Sequence, residues 1–69
     1  MLKYTKHARK RMRQRSISEA EVEYCLNNHD IFCTDKKGNP KFRAETPNGR
    51  DIKVVVKKEN SNVVITVED

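Results

Sequence analysis

An α+β fold, two N-terminal helices packed on a four-stranded antiparallel sheet, follows from a change of period along the chain. Up to about residue 27, apolar residues recur at helical spacing behind two capping residues, Thr5 and Ser18. From Ile31 onward they alternate with polar ones, as in strands buried on one face. Turn residues at Lys37-Gly38-Asn39-Pro40, Pro47-Asn48-Gly49 and Asn60-Ser61-Asn62 punctuate that alternation. Helices first and strands after make an antiparallel meander, covered on one face, the expected topology.

Thr5 caps a first helix that runs to about Arg15. At about 100° per residue, Ala8 and Met12 form a narrow apolar stripe, bordered by a ridge of His7, Arg11 and Arg15. Lys6, Arg9, Lys10, Arg13 and Gln14 fall on the opposite side, toward solvent. Ser18-Glu19-Ala20-Glu21 fits a capping box opening a second helix, with Glu19, Glu21 and Glu23 in its positive first turns. Val22, Tyr24, Cys25 and Leu26 supply its inner face, and Asn27-Asn28 ends it. The strands expected next are Ile31–Thr34, Lys41–Thr46, a third in which Ile52, Val54 and Val56 share a face, and a fourth spanning Val63 to Glu68. Asn48-Gly49 between the second and third is a strong hairpin signal.

The 69 residues are read as one domain, 1–69, without internal repeats or linkers and close to the smallest self-sufficient core. No apolar run approaches the ~20 residues that cross a bilayer. Met1-Leu2-Lys3-Tyr4 lacks the apolar stretch of a signal peptide, so a cytoplasmic location is expected. Cys25 and Cys33 are too few for a disulfide framework. With His29 they make a C-x3-H-x3-C spacing that crosses from helix to strand and has no evident fourth ligand. No metal and no cofactor is expected.

The charge is lopsided. Residues 1–15 hold seven Lys or Arg and no acid, whereas the remainder holds eight basic and ten acidic side chains. The net charge of +5 is thus a +7 segment joined to a −2 body. Charge gathered on one element is the footprint of a polyanion binder. Tyr4, Tyr24, Phe32 and Phe42 are the only aromatics and do not interleave with the basic residues. Phosphate-dominated binding is therefore favoured over base-specific readout. Lys6, Arg9, Lys10, Arg13, Arg43 and Lys53 are the candidate RNA-binding side chains.

The block His7-Ala8-Arg9-Lys10-Arg11-Met12-Arg13-Gln14-Arg15-Ser16-Ile17-Ser18 forms a pattern with Val22, Leu26, a Gly49-Arg50 hairpin and a closing Val-Ile-Thr-Val strand. This pattern resembles the small domains grouped as domain-of-unknown-function family 4258. That family in turn resembles, at fold level, ribonuclease toxins of the RelE and barnase–EndoU–colicin type. The resemblance implies a RelE-like fold and a site built from His7, Arg11, Arg15, Arg50 and Thr66 on one side of the sheet. It also implies metal-independent endoribonuclease chemistry of the mRNA-interferase kind, and an acidic antitoxin as protein partner.

Such cleavage needs the 2′-hydroxyl deprotonated, charge on the pentacovalent phosphorane stabilised and the 5′-oxygen protonated. His7 is the candidate acid or base, and the arginines are the candidate electrostatic stabilisers. His29 and Glu45 are the candidates for the second proton-transfer group. Two other readings use the same charge: a non-catalytic nucleic-acid-binding module, and a protein-interaction domain whose basic helix docks on an acidic partner.

Overall fold

A computed structural model describes residues 2–69. The elements are β1 (Lys3–Tyr4), α1 (Lys6–Arg15), α2 (Glu19–Asn27), β2 (Ile31–Thr34), β3 (Pro40–Glu45), β4 (Asp51–Val56) and β5 (Val63–Glu68). The class is α+β, as expected, but the sheet has five strands in the order β1-β5-β4-β3-β2. Strands β2 to β5 form the antiparallel meander, and β1 adds a parallel neighbour to β5. The expectation of four antiparallel strands is corrected by this fifth strand and the mixed sheet it makes. At two residues β1 is too short to show a period of two. It exists because Lys3 N–H donates to Asn62 O at 2.7 Å and Thr5 N–H to Val64 O at 3.1 Å.

Two of the three hairpins share one device. Asp35 N–H bonds Asn39 O, with Gly38 N–H returning to Asp35 O; Thr46 and Arg50 repeat the first bond, with Gly49 N–H returning to Thr46 O. Gly38 and Gly49 take φ of +85° and +83° at the equivalent position. This is a tight turn followed by a left-handed residue, which a side chain would strain.

The helices cover one face of the sheet. Ile52, Val54 and Val56 on β4 and Val64 and Val67 on β5 are fully buried against Ala8, Met12, Val22 and Cys25. Val64 and Val67 reach the same face despite odd spacing because the ladder slips: Val55 pairs with Thr66 but Val56 with Val64. The extra residue, Ile65, is a bulge. Tyr24, expected in the core, is instead half-buried beside the Thr46–Asn48 turn, and Ala20 is exposed.

A candidate nucleic-acid interface on the first helix

Helix α1 is fixed at both ends. At its start the Thr5 hydroxyl accepts from Ala8 N–H at 3.1 Å and donates to Ile65 O at 2.8 Å. At its end Ser16 turns left-handed with φ of 55°. The Arg50 guanidinium donates there to Ser16 O at 2.8 Å and to Arg15 O. These are carbonyls that a helix end leaves without partners. The helix therefore runs along β5, from Ile65 at its N-terminus to Asp69 at its C-terminus, where Arg15 Nε lies 3.8 Å from Asp69 Oδ1.

Arg50 is the hub of this end of the molecule. It also pairs with Asp69 Oδ2 at 2.8 Å and with Glu21 Oε1 at 3.7 Å. Glu21 in turn closes the α2 capping box, accepting from Ser18 N–H at 2.9 Å. One guanidinium thus joins the end of α1, the start of α2 and the end of β5. The hydrogen bond from Arg50 holds the Asp69 carboxyl below its ordinary pKa, and Asp69 holds Arg50 above its own. Only the capping box marked Glu21, and nothing in the local sequence marks Asp69.

The remaining cations of α1 are unneutralised. Ion pairs within 4 Å engage Arg15, Arg43 and Arg50 among the described residues, and not Lys6, Arg9, Lys10, Arg11 or Arg13. Lys6, Arg9, Lys10 and Arg13 are exposed and with Gln14 line a shallow depression on the outer side of the helix. Arg9 lies over the Tyr4 ring, 5.1 Å from its centre. Burial raises the pKa of Tyr4, with a further contribution from Glu19 and Glu23. His7 is exposed in the first turn, on the ridge shared with half-buried Arg11. The Nε of Arg11 is buried with no hydrogen-bond partner, as is Glu21 Oε2. A buried guanidinium nitrogen without an acceptor is costly in a finished structure.

The expected convergence is partial. His7, Arg11 and Arg15 share one helix ridge, and Arg50 joins it at the Arg15 end. Thr66 pairs with Val55, whose neighbours Val54 and Val56 face the helices, so Thr66 belongs to the opposite face of the sheet. Arg43 and Lys53 lie opposite each other on that same far face, flanking core-facing Ala44 and Ile52. Arg43 is already bound there by Asp51, its Nε donating to Oδ1 at 3.0 Å. His29 and Glu45 stand elsewhere. His29 packs edge-on against Phe42 at 4.8 Å and its Nδ1 lies 3.2 Å from Leu26 O, beside the β2 edge. That edge is three strand spacings from β5, about 14 Å. Glu45 ends β3 opposite Asp51.

Cys25 is buried, its thiol 3.5 Å from Ile52 O and 3.6 Å from Phe42 O, whereas Cys33 is exposed on β2. Burial pushes the Cys25 thiol up to about 11. No group of three or more His, Cys, Asp or Glu side chains that would hold a metal ion occurs among the described residues. Among the described residues no helix is long and apolar enough to cross a membrane.

A family model described as "Domain of unknown function (DUF4258)" matches residues 4–69. No curated protein and no solved structure matches the chain.

Proposed function

We propose that this chain, which belongs to the DUF4258 family, binds RNA through helix α1. The observation that carries the reading is a helix with no acid and five cations outside any ion pair among the described residues. Such a helix works against its own stability. Lys6–Lys10, Arg9–Arg13 and Arg11–Arg15 are like-charge pairs at i,i+4. Each costs about 0.2–0.5 kcal/mol, and Lys6 adds a cation at the positive end of the helix dipole. A polyanion reverses every one of these penalties.

Cleavage is the finer form of this proposal. It rests on the resemblance that the sequence pattern implies to RelE and barnase–EndoU–colicin-type ribonucleases, supported by two helices followed by the antiparallel meander β2–β5, to which β1 is an addition. His7 is the proton-transfer group and Arg11 the stabiliser of phosphorane charge; an acidic antitoxin would cover the same helix. The non-catalytic reading is favoured by two features. Arg50 is spent on carbonyls and carboxylates of the fold, and His29 and Glu45 lie away from His7.

The deciding experiment incubates the protein with mixed single-stranded RNA in EDTA at low salt, beside His7→Ala. Cleavage lost in the variant establishes the nuclease. Salt-sensitive retention without cleavage leaves the binding module. No retention at low salt removes both in favour of a protein-docking helix.

A further inference from the structure

The edge of the sheet away from α1 is undefended. Strand β2 has no neighbour on its outer side among the described residues, and all four of its own residues are exposed. Ile31 and Phe32 are the large hydrophobic side chains that the described residues leave exposed, at 49% and 56%. Edge strands are ordinarily protected by Lys, Pro or a covering element. Ile31-Phe32-Cys33-Thr34 has none, whereas the opposite edge strand, β1, is only two residues long and carries an exposed Lys3.

The phase of the ladder identifies the free groups. Asp35 N–H bonds Asn39 O at 2.9 Å, and the same register pairs Cys33 with Lys41 and Ile31 with Arg43. Hydrogen-bonded pairs alternate along antiparallel strands, so residues 31, 33 and 35 bond inward to β3. Phe32 and Thr34 therefore turn their N–H and C=O groups outward.

We propose that β2 is a homodimer interface, at which β2 of a second copy pairs antiparallel about a two-fold axis through Cys33. This register sets Phe32 opposite Thr34 of the second copy and forms four backbone hydrogen bonds from the outward groups. An axis through Phe32 would need the Asp30 N–H, which is already given to Arg43 O at 2.8 Å. The Cys33 axis also brings Asp30 toward Lys36 of the second copy, twice. The +7 segment does not oppose the union, because α1 packs over β5, across the sheet from β2. The dimer carries its two basic helices at its outer ends, and its formation is independent of whether they bind RNA.

Cys33 is a built-in probe of the register. At a non-hydrogen-bonded pair the two Cα atoms lie about 4.5 Å apart, inside the span that a disulfide accepts. Sedimentation of the reduced full chain from low to high micromolar concentration should show monomer passing to dimer. Mild oxidation should trap a Cys33-linked dimer. Cys33→Ser should abolish that link and leave reduced dimerisation intact. Thr34→Pro and Phe32→Lys should be monomeric throughout; should either unfold, as judged by circular dichroism, Lys36→Glu tests the interface from the turn. Lys36→Glu should raise the dimer Kd several-fold, and adding Asp30→Lys should restore it. A wild-type chain monomeric at every concentration overturns the proposal. So does a dimer that is unaffected by folded β2 variants, or one that never crosslinks through Cys33.

Discussion

Replacing Thr5 by Ala removes two bonds made by one hydroxyl, and the loss can be worked from the structure. As N-cap, the Thr5 oxygen accepts from Ala8 N–H; such caps are worth about 1 kcal/mol when replaced by Ala. The same hydroxyl donates to Ile65 O across 60 residues of sequence, a tertiary hydrogen bond worth about 1 kcal/mol. The expected destabilisation is about 2 kcal/mol. For a domain of this size, 1 kcal/mol moves the melting temperature by about 4–8 °C, so Thr5→Ala should melt about 8–16 °C lower. Thr5→Ser retains the hydroxyl and should stay within about 0.5 kcal/mol of the parent. Thermal melting by far-ultraviolet circular dichroism reads all three. Below its melting point Thr5→Ala should bind RNA with the parent's affinity, because the hydroxyl carries no charge. A melting shift under about 3 °C would refute the reasoning: α1 would then not be anchored to β5 at its cap, and the placement of the basic ridge would need another cause.

Lys10→Gln with Arg13→Gln should lower the salt slope of single-stranded RNA binding by about 1.4, at roughly 0.7 per phosphate contact, in a filter-binding series. Arg43→Gln, on the far face and paired with Asp51, should leave that slope unchanged. Asp69 is held below the ordinary carboxyl value of 3.8 by Arg50, so its contribution to stability is complete above that range and lost as pH falls through it. Asp69→Asn should thus flatten the acid limb of a melting-temperature profile below about pH 5, with little effect on its shape near neutrality. In a thiol-reagent assay Cys33 should react at once, whereas Cys25, buried and pushed up to about 11, should react only on unfolding.

The sequence revealed elements whose signals are local. The cap at Thr5, the capping box from Ser18 to Glu21 and the alternation of Ile52, Val54 and Val56 each need only a few adjacent residues, and the structure has all three. Strand β1 escaped because its evidence lies at Asn62 and Val64, some 60 residues away. Thr66 fell on the far face for a related reason. The bulge at Ile65 shifts the alternation of β5 by one, and a bulge leaves no mark in a run of Val, Ile and Thr. The basic ridge itself was legible, since helix geometry places His7, Arg11 and Arg15 together without tertiary information.

Arg50 is the residue where the two levels part, and its role explains how the basic helix is tolerated. A helix bearing three like-charge i,i+4 pairs and no acid would be poor in isolation. Burial of Ala8 and Met12 supplies only a narrow seam. The cost is offset at the ends, by Thr5 against β5 at one and by Arg50 on the terminal carbonyls at the other. Arg50 is itself a cation at the negative end of the helix dipole, the one place on α1 where added positive charge stabilises. Arg50 therefore has a role in the scaffold that does not place it on RNA. Arg50 turns its cation inward, while Lys6, Arg9, Lys10 and Arg13 stand exposed on the outer side of α1. Exchanging Arg50 for Met should accordingly lower the melting temperature while leaving the salt slope of RNA binding, measured well below that temperature, as it was; a slope reduced by one phosphate contact would move Arg50 from the scaffold to the interface.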